Sequence, residues 1–252
     1  MIHSLKIIAG LLLGGYALIC LLLYLGQRQM IYHPQPRGLG SVPLFHIKSD
    51  GLALTISHRS KASERAVIYF GGNAEDVSVS VPQLAAAFPD AAVYALHYRG
   101  YGGSEGKPSE SALYADAVAL HAIVQKDHRQ IVVIGRSLGS GVATYLGSQR
   151  AVERLILITP YSSIADIAAA QFPWVPVRWL LKDPFESALH VARSSSPVRI
   201  ISAQRDEVIP AWSTQRLFEA IPPALASQHV ISGLGHNDIS LSPVYWDLLR
   251  KP

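Results

Sequence analysis

Hydrophobic positions along the chain follow two regimes. The first is one unbroken run, residues 7–25, nineteen residues without a charged side chain. As a helix rising ~1.5 Å per residue it matches the ~30 Å hydrocarbon core of a bilayer. Gly26-Gln27-Arg28-Gln29-Met30 follows it in place of a small-residue cleavage pattern, so the run reads as an uncleaved single-pass anchor rather than a signal peptide. The second regime begins near Leu44. Short, continuously apolar segments at 44–49, 52–57, 66–70, 92–97, 131–134, 155–159, 198–202 and 228–231 are separated by stretches that read as helix, at 77–87, 111–126, 139–148, 214–220 and 243–249. The first two segments flank Asp50-Gly51, a dipeptide suited to a tight hairpin. The remaining alternation of apolar strand and helix predicts a mostly parallel sheet covered on both faces, an α/β fold.

Between the regimes, residues 31–43 carry three prolines and two glycines and read as a linker. The expected organisation is an anchor at 1–30, this linker, and one catalytic-sized domain at 44–252. Residues 160–197 are the one insertion long enough to form a lid. With 49% hydrophobic and 16% charged residues the chain is too apolar for disorder. Its +4 charge is scattered without a basic run, which gives no nucleic-acid footprint. The single cysteine, Cys20, lies in the anchor run and makes no internal disulfide, so the redox compartment stays open. Lys6 on one side of the anchor and Arg28, Arg37 and Lys48 on the other set no orientation. Oligomeric state is open as well.

Chemistry concentrates beyond the carboxyl ends of the predicted strands, where an open parallel sheet gathers its loops. After 131–134 comes Gly135-Arg136-Ser137-Leu138-Gly139, a G-x-S-x-G between strand and helix, which lifts a serine above the sheet at a helix N-terminus. A serine hydroxyl needs a base, and the base a carboxylate to fix its tautomer. Asp206 follows the strand at 198–202, ahead of its rivals Asp166, Asp183 and Glu207; His236 follows the strand at 228–231 in the glycine-flanked loop Gly233-Leu234-Gly235-His236. An oxyanion requires two preorganised N–H donors: Leu138, next to the nucleophile, and Asn73 in Gly71-Gly72-Asn73 after 66–70. The ten histidines do not fall at metal-ligand spacings, so neither a metal nor another cofactor is expected.

Together these residues resemble the α/β-hydrolase superfamily, and within it the branch with a membrane anchor that includes the Bem46-like and ABHD13/ABHD17-like proteins. The resemblance rests on Tyr32-His33-Pro34, Gly72-Asn73-Ala74, Tyr98-Arg99-Gly100-Tyr101-Gly102-Gly103-Ser104 with Pro108-Ser109-Glu110, the Ser137 elbow, and Asp183-Pro184-Phe185. It implies the α/β-hydrolase fold and cofactor-free acyl transfer from esters, thioesters or amides, and it supports Ser137, Asp206 and His236 in their roles. Two positions depart from it: Gly71 stands where many relatives have histidine, and His97 where they often have aspartate.

In the lid, Phe172, Trp174 and Trp179 either roof an acyl pocket, dip into the bilayer interface, or pack on the lid's own core. Anchor and lid together point to long, lipid-like acyl substrates held near a membrane. A serine peptidase or amidase uses the same triad, and a non-catalytic membrane scaffold can keep the same fold.

Overall fold

The computed structural model describes residues 2–38, 40 and 42–251; Met1 of the expected anchor, Leu39 and Ser41 of the expected linker and Pro252 of the expected domain lie outside the described residues. Eight strands form one sheet: β1 (Leu44–Ser49), β2 (Leu52–Arg59), β3 (Arg65–Phe70), β4 (Ala92–Leu96), β5 (Gln130–Arg136), β6 (Arg154–Ile158), β7 (Val198–Ala203) and β8 (Ala226–Ile231), in spatial order β1-β2-β4-β3-β5-β6-β7-β8. β1 and β2 are antiparallel, β2 meets β4 antiparallel, and every pairing from β4 to β8 is parallel. Asp50 and Gly51 both take positive φ, 49° and 78°, as a turn matching the twist of the β1–β2 hairpin requires.

The continuously apolar strands are explained by two cores. Along β5, Ile131 and Val133 enter one core while Val132 and Ile134 enter the other; along β6, Leu155 and Leu157 alternate in the same way with Ile156 and Ile158. Side chains of a strand point alternately to opposite faces, so a strand covered on both sides has no polar position to spare. One face is covered by α3 (Glu110–Val124) and α4 (Leu138–Gln149), with Leu113, Ala117, Leu120 and Val124 of α3 recurring at helical spacing. The other is covered by α2 (Ser80–Ala87) and α9 (Pro243–Arg250), through Val81, Leu84, Leu248 and Leu249. Helix α3 starts where Ser109 Oγ accepts the Ala112 N–H, a cap that satisfies one otherwise orphaned donor.

The remaining helices are α1 (Ile2–Ile31), three short lid helices α5 (Ile164–Gln171), α6 (Val177–Leu180) and α7 (Ser187–Val191), and α8 (Ala211–Ala220). Periodicity misses the lid helices; α6 and α7, at four and five residues, are too short to develop a pattern. Helix α1 is long and apolar enough to cross a membrane.

The stretch after α1 is fastened to the domain rather than hanging free. Tyr32 is buried, the His33 N–H donates to Asn73 Oδ1 and to the Tyr101 hydroxyl, both at 2.9 Å, and the Gly38 N–H donates to Asp76 at 2.7 Å. Proline and glycine content marks irregular backbone but says nothing of whether that backbone docks.

Candidate active site

The turn from β5 into α4 is held tightly. Ser137 has φ 49° and ψ −117°, a strained conformation for a residue with a side chain, and its N–H donates to the Ile158 carbonyl at 2.9 Å. The flanking glycines are a steric demand: a Cβ on Gly135 would lie 2.3 Å from the Gly139 carbonyl oxygen, and one on Gly139 would lie 2.1 Å from the Phe70 carbonyl oxygen. The strain is sustained because α4 presses directly on the end of β3.

Three side chains from separate loops converge at this turn. His236 Nε2 lies 2.9 Å from Ser137 Oγ, and His236 Nδ1 lies 3.0 and 2.9 Å from the two carboxylate oxygens of Asp206. Asp206 is fixed by N–H donors of Val208 and Ile209 at 3.0 and 2.7 Å. Burial raises its pKa, but the His236 ring and these N–H groups outweigh burial and leave the carboxyl below the usual carboxylate range. The rival carboxylates are engaged elsewhere. Glu207 accepts the main-chain N–H of His236 at 3.1 Å, Asp166 pairs with Arg178 and Arg216, and Asp183 pairs with Arg28.

The loop after β3 abuts the serine: a Cβ on Gly72 would stand 3.6 Å from Ser137 Cβ. Leu138 is the first residue of α4, so its N–H has no partner within the helix. The Asn73 side chain holds the loop to its surroundings, with Nδ2 donating to the Ile31 carbonyl at 2.6 Å and Oδ1 accepting from the Tyr101 hydroxyl at 2.9 Å. The main-chain N–H of Asn73 makes no hydrogen bond among the described residues.

Sequence reasoning passed over Glu75. Its carboxylate accepts the Gly72 N–H at 2.7 Å, the Tyr69 hydroxyl at 2.8 Å and the Ser80 hydroxyl at 2.7 Å, with Arg136 3.7 Å away. A carboxylate three residues beyond a glycine turn was the available signal. Tyr98 supports the same loop by donating to the Gly71 carbonyl at 2.8 Å, and buried Arg99 makes two bonds to Asp116, at 2.9 and 2.7 Å, which lock the Tyr98–Ser104 turn. Of the two departures, Gly71 leaves room for Val77, whose Cγ1 would lie 2.3 Å from an added Cβ, and His97 Nε2 meets Ser57 Oγ at 2.9 Å. Burial lowers the His97 pKa to about 4, so the ring is neutral where an aspartate would be charged.

The lid aromatics divide. Phe172 lines an apolar cavity between lid and α1, whereas Trp174 is 52% exposed and Trp179 90% exposed, and neither lines that cavity. A pocket-lining place is therefore taken by Phe172 alone of the three. No group of three or more metal-binding side chains occurs among the described residues.

The family model described as the alpha/beta hydrolase fold matches residues 65–192. An uncharacterized protein of Mycobacterium tuberculosis is 35% identical over 244 residues, covering 89% of this chain and 86% of its own. An uncharacterized membrane protein of Saccharomyces cerevisiae is 28% identical and covers 89% of this chain and 84% of its own; alpha/beta hydrolase domain-containing protein 17C of Xenopus tropicalis is 30% identical, covering 91% and 75%. Among solved structures, a Pyrococcus furiosus esterase superposes with a TM-score of 0.69 at 17% identity, covering 86% of this chain and 95% of its own. Est1E of Butyrivibrio proteoclasticus, solved with ferulic acid bound, superposes with a TM-score of 0.67 at 15% identity, covering 82% and 96%. A family match over half the chain and a 35% identical relative aligned over most of both lengths leave one conclusion: the chain belongs to the α/β-hydrolase family.

Proposed function

We propose that the protein is a serine hydrolase that cleaves an acyl ester or thioester, with Ser137 as nucleophile, His236 as base and Asp206 as the carboxylate that orients it. The observation carrying this reading is the unbroken chain of contacts from Asp206 through both ring nitrogens of His236 to Ser137, at 2.9–3.0 Å throughout. With Nδ1–H donated to Asp206, Nε2 is left as an acceptor for the serine proton.

Ser137 Oγ adds to the acyl carbonyl carbon as its proton passes to His236 Nε2, and the carbonyl electron pair moves onto oxygen. The N–H groups of Leu138 and Asn73 receive that oxyanion. Collapse expels the alcohol or thiol, which takes the proton from His236 and leaves an acyl-serine. Water then gives a proton to His236 and adds to the acyl carbon; the second collapse returns the proton to Ser137 Oγ and releases the acid. Helix α1 serves as a single-pass anchor that keeps the domain against a membrane, where lipophilic acyl substrates are concentrated. The yeast relative's description as a membrane protein and the exposed apolar surface of α1 support that part.

Turnover of nitrophenyl esters by the full chain in detergent tests the assignment. Ser137→Ala and His236→Ala should each lower kcat by about 10³-fold or more, with little further loss in the double variant. Retained turnover in Ser137→Ala contradicts it.

A further inference from the structure

The cavity of about 210 Å³ beside the lid has an unusual wall. One side is α5 and the turn after it, with Ile164, Ile167 and Val175; the other is the anchor helix itself, with Leu23, Met30 and Ile31. Tyr24, Gln27 and Gln171 are its polar side chains, and Gln27 is already spent: Nε2 donates to the carbonyls of Tyr24 and Leu180 at 2.9 and 3.0 Å, and Oε1 accepts the Lys182 N–H at 2.6 Å. Few polar groups remain to recognise a polar ligand.

Helix geometry sets the depth of this cavity. Thirty residues make α1 about 45 Å long, about 15 Å more than a hydrocarbon core. The lid contacts fall at its carboxyl end, with Arg28 bonded to Asp183 at 2.8 Å and the Lys182 ammonium 3.9 Å from the centre of the Tyr24 ring. Deeper along the helix, the Tyr16 hydroxyl donates to the Trp174 carbonyl at 2.8 Å, so the lid tip lies against the middle of the apolar run. On the single-pass reading, Leu23 and Tyr24 of this wall belong to the membrane-spanning run 7–25, so the cavity sits where α1 leaves the hydrocarbon core. Ile31, one of the lining residues, accepts from Asn73 Nδ2 through its carbonyl, and Asn73 belongs to the loop that abuts Ser137.

We propose that this cavity is the acyl-chain site of the protein, that α1 is one of its walls, and that a long-chain acyl ester resident in the bilayer enters sideways between anchor and lid with its carbonyl end toward Ser137. The site deepens the hydrolase reading and rests on it for the fate of the ester. The anchor then has two functions, holding the domain at the membrane and completing the substrate site.

The test uses the full chain in phosphatidylcholine nanodiscs. Two readouts are taken: the ratio of kcat/KM on dodecanoyl and butanoyl nitrophenyl esters, and the adducts formed by a diazirine-bearing palmitic acid on Ser137→Ala, mapped by mass spectrometry. Ala168→Trp on the lid side and Met30→Trp on the anchor side should each lower the dodecanoyl-to-butanoyl ratio by about tenfold or more. The ratio is internal to each variant, so a folding defect that slows both esters does not imitate the effect. Adducts should fall on peptides containing residues 23–31 and 164–181. An unchanged ratio in Met30→Trp, or adducts confined elsewhere, overturns the proposal. If the wild type cleaves neither ester, the hydrolase reading fails, and the adduct map alone then decides whether the cavity holds an acyl chain.

Discussion

At the scale of single residues, the site depends on groups that hold other groups in place. Asp206→Asn keeps the shape but lets the His236 ring take the wrong tautomer, and it should lower kcat by about 10³–10⁴-fold in an ester assay. Glu75 acts one step further out. Replacing it with Gln removes one of the two acceptor oxygens shared by Gly72, Tyr69 and Ser80, which loosens the oxyanion loop; kcat should fall by about 10–100-fold with a smaller change in KM. His97 makes a prediction about pH. Its pKa is about 4 in the fold, against an ordinary 6.5 in the unfolded chain. Below pH 6.5 the unfolded chain therefore binds a proton that the native state does not, and stability falls as pH drops from about 6.5 toward 4, by up to about 3 kcal/mol. Urea midpoints at pH 7.5 and pH 5 should separate more for the wild type than for His97→Asn; equal separations would remove His97 from the acid response.

At the scale of elements, the elbow was legible because its requirement is local. A strand, two glycines around a serine and a following helix are all contiguous, and the clash of a Gly139 Cβ with the Phe70 carbonyl at 2.1 Å states the reason in one distance. Gly139→Ala should cost about 2–4 kcal/mol and lower Tm by about 4–15 °C; an unchanged Tm would mean that α4 and β3 separate without penalty. The strands were legible for a similar reason, since burial on both faces leaves a continuous apolar signature. The order Ser137, Asp206, His236 could be read because each follows a recognisable strand. Glu75, the lid helices and the docking of Tyr32 and His33 were not legible. Glu75 bonds residues 3 to 6 positions away, α6 and α7 are too short to have a period, and Tyr32 and His33 meet partners 40 to 153 positions along the chain, Tyr32 and Phe185 at 6.4 Å between rings.

At the scale of the whole molecule, side-chain bonds tie α1 to the rest of the fold. Arg28 of α1 reaches the buried carboxylate of Asp183, which also accepts the Glu110 N–H at 3.1 Å, and Glu110 accepts the Phe185 N–H at 3.0 Å. This links α1 to the Pro108-Ser109-Glu110 and Asp183-Pro184-Phe185 segments. Arg28→Ala leaves Asp183 without its cation; allowing for the partial exposure of Arg28, the loss should be about 1–3 kcal/mol, visible as a Tm lower by about 2–10 °C in detergent. A serine nucleophile at the crest of this sheet should react with a fluorophosphonate probe, read out as the intact mass of the treated full chain. One adduct should form, map to Ser137, and disappear in Ser137→Ala; a wild type that takes no label, or a Ser137→Ala variant that labels as well as wild type, would contradict it.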